Sequence, residues 1–318
     1  MQKILNKARN LELVEGIKSG DFRMLAKAIT LVENGDRNSE KLLGMLYPAA
    51  QKSYRLGVTG PPGAGKSTLV SRLVKLFRQQ GKKVGVIAVD PTSPFSGGAV
   101  LGDRIRMSEL TTDEGTFIRS MATRGSMGGL SRTAQDVSDL MAAAGLEVII
   151  YETVGVGQGE LDVARASDTT VVVLVPESGD SIQAMKAGLM EIADIFVINK
   201  SDRDGAEKMK IELEMVLQLK TVKSGWKTPI VKTIANEGTG LGQLFLLVQE
   251  HIDFIEKMHI LKNKHSDRIR DKIQHLVASE LEQKFWNNER KKLLNMKLKA
   301  VLDRKMSPYT LVRKIINI

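Results

Sequence analysis

Gly60-Pro61-Pro62-Gly63-Ala64-Gly65-Lys66-Ser67-Thr68 fits the pattern G-x-x-x-x-G-K-[ST], and its flanks determine how it is read. The short apolar run Tyr54-Arg55-Leu56-Gly57-Val58 precedes it, and Leu69, Val70, Leu73, Val74 and Phe77 follow at helical spacing. Strand, glycine loop and helix in that order predict a phosphate-binding loop. Glycines let backbone N–H groups turn toward phosphate oxygens, and the helix N-terminus adds its positive end at the same point. Gly60 through Thr68 are therefore candidate nucleotide contacts, with Lys66 reaching the β- and γ-phosphates and the Ser67 hydroxyl ligating Mg2+.

Beyond the loop, strands and helices alternate. Apolar runs at 54–59, 84–89, 116–119, 147–152, 170–175, 194–199 and 230–234 predict seven strands in an α/β fold with a mostly parallel sheet flanked by helices. Several runs are unbroken, as in Val171-Val172-Val173-Leu174-Val175, which is the pattern of a strand buried on both faces. Residues 1–50 read as a helical lead-in, 51–260 as the nucleotide domain, and 261–318 as a helical C-terminal arm. In such sheets ligands sit outside the carboxyl ends of the strands, where every polar motif of this chain falls.

The 318 residues are 42% hydrophobic and 26% charged, the proportions of an ordinary globular protein, and only 4% aromatic, so the core must be aliphatic. With no cysteine there is no disulfide, thiolate zinc site or thiol nucleophile, which fits a reducing cytosol. The N-terminus carries no secretory apolar core and no run is long enough to span a membrane, so the expectation is a cytoplasmic protein that does not engage a membrane. The net charge is +10, and residues 261–318 hold 15 Lys and Arg against 6 Asp and Glu. Because those charges alternate with apolar residues at helical spacing and lack interleaved aromatics, a solvated face or protein contact is expected rather than nucleic acid. His251, His259, His265 and His275 form no i, i+4 pair, so no metal site is expected there.

The remaining motifs lie at strand ends. Asp90, at the end of one strand, and Asp103, in the Pro- and Gly-rich segment after it, are candidate Mg2+ ligands, direct or through water. Strand 147–152 ends in Glu152-Thr153-Val154-Gly155-Val156-Gly157-Gln158, the layout of a second magnesium motif followed by a γ-phosphate-sensing switch. Lys66, Glu152 and Gln158 are the candidate catalytic residues, and Gln158 and Glu160 both remain open as the residue orienting water. Strand 194–199 runs into Asn199-Lys200-Ser201-Asp202, an N-K-x-D pattern whose carboxylate accepts from guanine N1–H and N2–H2, a donor pair adenine lacks. After the last strand, Ile234-Ala235-Asn236 would offer a backbone N–H to the guanine O6.

With these residues the chain resembles the MeaB/ArgK family of GTPases, which includes the methylmalonic aciduria type A protein. The resemblance covers nearly the whole chain. It rests on Gly60–Thr68, Val89–Pro94, Gly97–Asp103, Glu152–Gln158, Gly179–Gly188, Asn199–Asp202, Leu281–Trp286 and Ser307-Pro308-Tyr309. It implies hydrolysis of GTP to GDP with Mg2+. It also implies a role as a G-protein chaperone that gates adenosylcobalamin loading into a B12-dependent acyl-CoA mutase, above all methylmalonyl-CoA mutase, and protects that enzyme. By the same resemblance Ser67, Asp90, Asp103 and Glu152 are the magnesium and switch residues, residues 176–188 form a third switch, and the C-terminal arm makes a homodimer. No cobalamin site is assignable in this chain. Two departures stand out: Gly159 replaces the family's usual serine, and Ile234-Ala235 replaces Ser-Ala.

Two other classes share the nucleotide motifs. A metallocentre-insertion GTPase would need a set of Cys/His metal ligands, and the sequence has no cysteine and no paired histidines; a transport-associated kinase would need a phosphoacceptor or protein-substrate site, and none is evident; a non-catalytic nucleotide-dependent adaptor stays open.

Overall fold

A computed structural model describes residues 2–36, 38–50, 53–90, 110, 112–122, 132–153, 159–176, 188–219 and 225–318. The N-terminal region forms helices α1 (Gln2–Lys18), α2 (Phe22–Glu33) and α3 (Ser39–Leu46). Seven strands follow: β1 (Tyr54–Thr59), β2 (Val84–Asp90), β3 (Thr116–Ala122), β4 (Val148–Thr153), β5 (Thr169–Leu174), β6 (Ile195–Asn199) and β7 (Ile230–Thr233). Between and after them run α4 (Lys66–Gln79), α5 (Arg132–Ala143), α6 (Gly159–Ala166), α7 (Leu189–Ile192), α8 (Ala206–Leu219) and α9 (Leu241–Lys257). The C-terminal helices are α10 (Ile260–Phe285), α11 (Asn288–Leu302) and α12 (Pro308–Ile316).

The strands form one sheet in the order β3-β2-β4-β1-β5-β6-β7, with every neighbouring pair parallel. This is the sheet the apolar runs predict. Successive residues of β5 show why they read as one continuous run. Val171 and Val173 point into a core with α4 and α9, through Leu69, Leu73, Leu244 and Val248. Val172 and Leu174 point the other way, into a core with Leu189, Met209 and Leu213. Both faces are dry, so no polar alternation survives.

The helical lead-in packs onto the sheet. Leu25, Ile29 and Leu42 share one core with Val137 and Met141 of α5 and with Ile87, Ile149 and Tyr151 of β2 and β4. The Asp21 carboxylate accepts from the N–H groups of Arg23 and Met24 and caps α2. The chain divides into two compact units after Leu261. In the second, Lys262–Ile318, Arg290 donates to the carbonyls of Ile315 (3.2 Å) and Phe285 (3.0 Å) and lies 4.4 Å from the Phe285 ring centroid. That one side chain joins the end of α10 to α11 and α12. Helices α10 and α11 have no buried residue, and Ile273, Val277 and Leu281 form an exposed i, i+4, i+8 stripe on α10. No helix among the described residues is long and apolar enough to cross a membrane.

Candidate functional site

Strand β1 lies at the centre of the sheet between β4 and β5, so the loop it feeds opens at the middle of the carboxyl edge. The loop's backbone is built on glycines for a steric reason. Gly60 has φ 137°, and a Cβ there would collide with the carbonyl oxygen of Val173. Gly65, at φ 85°, is the residue before the first turn of α4, and a Cβ there would strike the Asn199 amide. The first-turn N–H groups of α4 have no intrahelical acceptors and face the loop. Pro62, Gly63 and Thr68 are exposed, whereas Ala64, Lys66 and Ser67 are buried.

Lys66, only 5% exposed, donates from Nζ to the carbonyls of Gly60 and Pro61, both at 2.8 Å. A buried ammonium needs acceptors, and the loop's own carbonyls supply them. Pairing of Val58 with Glu152 across β1 and β4 brings Glu152 beside the loop. The Ser67 hydroxyl donates to Glu152 Oε1 at 2.5 Å, and both side chains are buried. One step further along the same strands, the hydroxyls of Thr59 and Thr153 are 3.0 Å apart and hydrogen-bonded. A buried hydroxyl and carboxylate side by side at a helix N-terminus are an all-oxygen donor set, the kind Mg2+ prefers. The residues present fit that ion.

The second motif is tied directly to the first. Asn199 is 2% exposed and uses both ends of its amide. Its Nδ2 donates to the Ala64 carbonyl at 2.8 Å, and its Oδ1 accepts from Thr233 Oγ1 (3.0 Å) and the Ala235 N–H (3.1 Å). Asn199 is thus a rivet through the phosphate loop, β6 and the loop after β7. Lys200, a non-glycine residue at φ 56°, turns the chain so that Ser201 N–H donates to the Thr233 carbonyl and Asp202 stands exposed at the rim. The loop after β7 is a closed turn. Ile234 N–H donates to the Thr239 carbonyl, and the N–H groups of Glu237 and Gly238 both donate to the Ile234 carbonyl.

Of the other residues read from the sequence, Asp90 ends β2. Asp103, Gln158 and most of the 176–188 segment lie outside the described residues. Gly159 opens α6, and Glu160 is in its first turn. His251 is buried, its Nδ1 2.6 Å from Thr169 Oγ1 and its Nε2 3.5 Å from Asp194, with the Trp226 ring against it. That cluster lies at the amino ends of β5 and β6, the edge opposite the phosphate loop. Sequence reasoning missed one residue that reaches the site. Arg72 on α4 donates from Nε to the Ala235 carbonyl at 3.3 Å and from Nη2 to the Asn236 carbonyl at 2.7 Å. No spacing rule links a helix arginine to a turn more than 160 residues further along the chain.

A parallel sheet with a phosphate loop at its centre and an N-K-x-D turn riveted to that loop defines a phosphate-loop GTPase. The family model described as "Methylmalonyl Co-A mutase-associated GTPase MeaB" matches residues 25–290. A candidate GTPase of Pyrococcus abyssi is 46% identical over 309 residues, covering 96% of this chain and 95% of that protein. GTPase ArgK of Escherichia coli is 35% identical, over 98% of this chain and 97% of its own length. The crystal structure of a LAO/AO transport system kinase superimposes with a TM-score of 0.70 at 30% identity, covering 98% of this chain and 97% of that one. The chain belongs to the MeaB family of GTPases.

Proposed function

We propose that this protein is a Mg2+-dependent GTPase that acts as a G-protein chaperone for an adenosylcobalamin-dependent acyl-CoA mutase, with methylmalonyl-CoA mutase the first candidate. The observation that carries the nucleotide half is Asn199, which joins the phosphate loop to the N-K-x-D turn and so makes one continuous site for base and phosphates. The partner half rests on the family's description as mutase-associated.

In this reading Asp202 accepts from guanine N1–H and N2–H2, and a backbone N–H of the 234–236 turn donates to O6. The Ala235 N–H reaches a base oxygen only by sharing or leaving its bond to Asn199. The Asn236 N–H gives up nothing, because it has no acceptor among the described residues. Lys66 exchanges two loop carbonyls for β- and γ-phosphate oxygens, trading neutral acceptors for charged ones. Ser67 and Glu152, with Asp90 and Asp103, hold Mg2+. When bound, that ion would supply positive charge against the charge that develops on the phosphate oxygens. Gln158 or Glu160 orients the water. GTP binding and hydrolysis in the switch segments, 176–188 included, set the affinity for the mutase and so gate cofactor loading. The exposed stripe on α10 covers itself against a second copy, since a 26-residue helix that buries nothing needs a partner to bury its apolar face.

The test is direct. Purified protein is loaded with GDP, GTP or a non-hydrolysable GTP analogue and mixed with methylmalonyl-CoA mutase, and complex formation and phosphate release are measured. Nucleotide-dependent binding and a faster GTPase in the complex support the reading. Preferential ATP hydrolysis, or no mutase binding in any nucleotide state, would overturn it.

A further inference from the structure

Within residues 234–238 of the turn after β7, one backbone N–H has no acceptor among the described residues, and the orientation of that donor is set from outside the turn. Across residues 234–238, the N–H groups of Ile234, Ala235, Glu237 and Gly238 are each committed to an acceptor. Among the described residues only the N–H of Asn236 in this run has none. Its direction is fixed by the peptide unit to which it belongs. In a trans peptide the C=O and N–H point in opposite senses, so holding the Ala235 carbonyl holds the Asn236 N–H. The Ala235 carbonyl is held by Arg72 Nε at 3.3 Å, and the next carbonyl, that of Asn236, by Arg72 Nη2 at 2.7 Å. The planar guanidinium thereby fixes two successive peptide planes, which a flexible single-point ammonium does not do. Arg72 sits on α4, less than two turns past Lys66, so it stands on the same rigid rod as the residues of the phosphate loop.

We propose that Arg72 is a positioning residue for guanine recognition: by clamping the Ala235 and Asn236 carbonyls it aims the Asn236 N–H at the base and sets how long the nucleotide stays bound. The proposal rests on the reading of residues 234–236 as the guanine turn. Without the clamp the turn keeps its own hydrogen bonds to Asn199 and Thr239, but the peptide between Ala235 and Asn236 is free to flip. The base then loses a preorganised donor, while the phosphate end, which is anchored elsewhere, keeps its geometry. The contacts of Arg72 are to two carbonyls of the turn, so the defect belongs to binding rather than chemistry.

The experiment compares wild type with Arg72→Ala, Arg72→Lys and Asp202→Asn in the full-length protein. Dissociation of fluorescently labelled GDP, KM and kcat for GTP, relative use of GTP and xanthosine triphosphate, and thermal stability without nucleotide are measured. Arg72→Ala is expected to speed GDP release and raise KM by about tenfold or more, leave kcat within about twofold, and leave the melting temperature without nucleotide within a few degrees. Arg72→Lys, keeping one donor of the two, should recover only part of the dwell time. GDP release and KM unaltered in a folded Arg72→Ala variant would overturn the proposal, as would a loss carried wholly by kcat. Asp202→Asn separates this from failure of the guanine-site reading. An amide at that position can donate to the O2 of xanthine, so preference should move from GTP to xanthosine triphosphate. If that switch occurs while Arg72→Ala is silent, only the role of Arg72 fails; if it does not occur, the guanine site itself is wrong.

Discussion

Lys66 illustrates how much of this site is written in single residues. Its ammonium is buried against two carbonyls, and the role proposed for it is to move those bonds onto phosphate. Replacing Lys66 with Ala should therefore leave a folded protein whose GTP turnover falls by about 10²- to 10³-fold, the usual loss for one preorganised donor. Phosphate release at saturating GTP measures it. Glu152→Gln tests the neighbouring pair differently. The Ser67 hydroxyl keeps an acceptor in the amide oxygen, so the fold should persist, while the Mg2+ concentration needed for half-maximal hydrolysis should rise about tenfold or more. Titrating Mg2+ against turnover gives the answer. These residues could be singled out as candidates in the sequence because a phosphate loop demands particular atoms at fixed spacing and a metal site demands a carboxylate at a strand end. The 2.5 Å contact between Ser67 and Glu152 was not legible, since it depends on which strand lies beside β1.

At the scale of the element, the edge of the sheet away from the nucleotide carries its own fastening. Arg78, near the end of α4, makes a two-pronged pair with Asp113 at 2.7 and 3.0 Å, and the Gly115 N–H and Thr116 hydroxyl donate to the same carboxylate. The Arg78 hydrogen bonds above all hold the Asp113 carboxyl at a pKa of about 2, below the 3.8 of a free one. A carboxylate depressed on folding stabilises the native state above about pH 4, and that contribution fades as the pH falls toward 2. Allowing for partial exposure of the pair, it amounts to roughly 1–2 kcal/mol. Thermal melts at pH 6 and pH 3 should therefore differ less in Asp113→Asn than in wild type. Glycine constrains the other elements. A Cβ at Gly57 of β1 would come within 2.5 Å of Ser167 Oγ and 2.6 Å of Val163 Cγ1, so α6 lies directly on the strand that feeds the phosphate loop. Gly57→Ala should destabilise the protein by about 1–3 kcal/mol in urea denaturation. The strands were readable as apolar runs and α4 as a periodic stripe. Arg72 and His251 were not, because a polar residue on a helix announces its face and never its partner.

At the scale of the molecule, residues 1–50 read as a helical lead-in, yet the sequence was silent on what those helices cover. They share a core with α5 and the β2–β4 side of the sheet. The C-terminal unit presents the reverse case: its charge and periodicity were plain, and its exposed stripe of Ile273, Val277 and Leu281 is the basis of the proposed homodimer. Charged substitutions at two of these, Val277→Asp with Leu281→Asp, should convert a dimer to a monomer in sedimentation while GTP affinity holds. Wild type already monomeric at tens of micromolar would remove that proposal. Helix α4 carries a consequence for how this protein can change over generations. Lys66, Arg72 and Arg78 fall at intervals of six residues, about 9 Å apart along one axis, and each engages a different part of the chain. Adding or deleting one residue between them would turn everything downstream by about 100° and strip at least one of those engagements. Surface loops can lengthen, and the exposed face of α4 can accept new side chains, but the number of residues from Lys66 to Arg78 is a quantity that descent must copy unaltered.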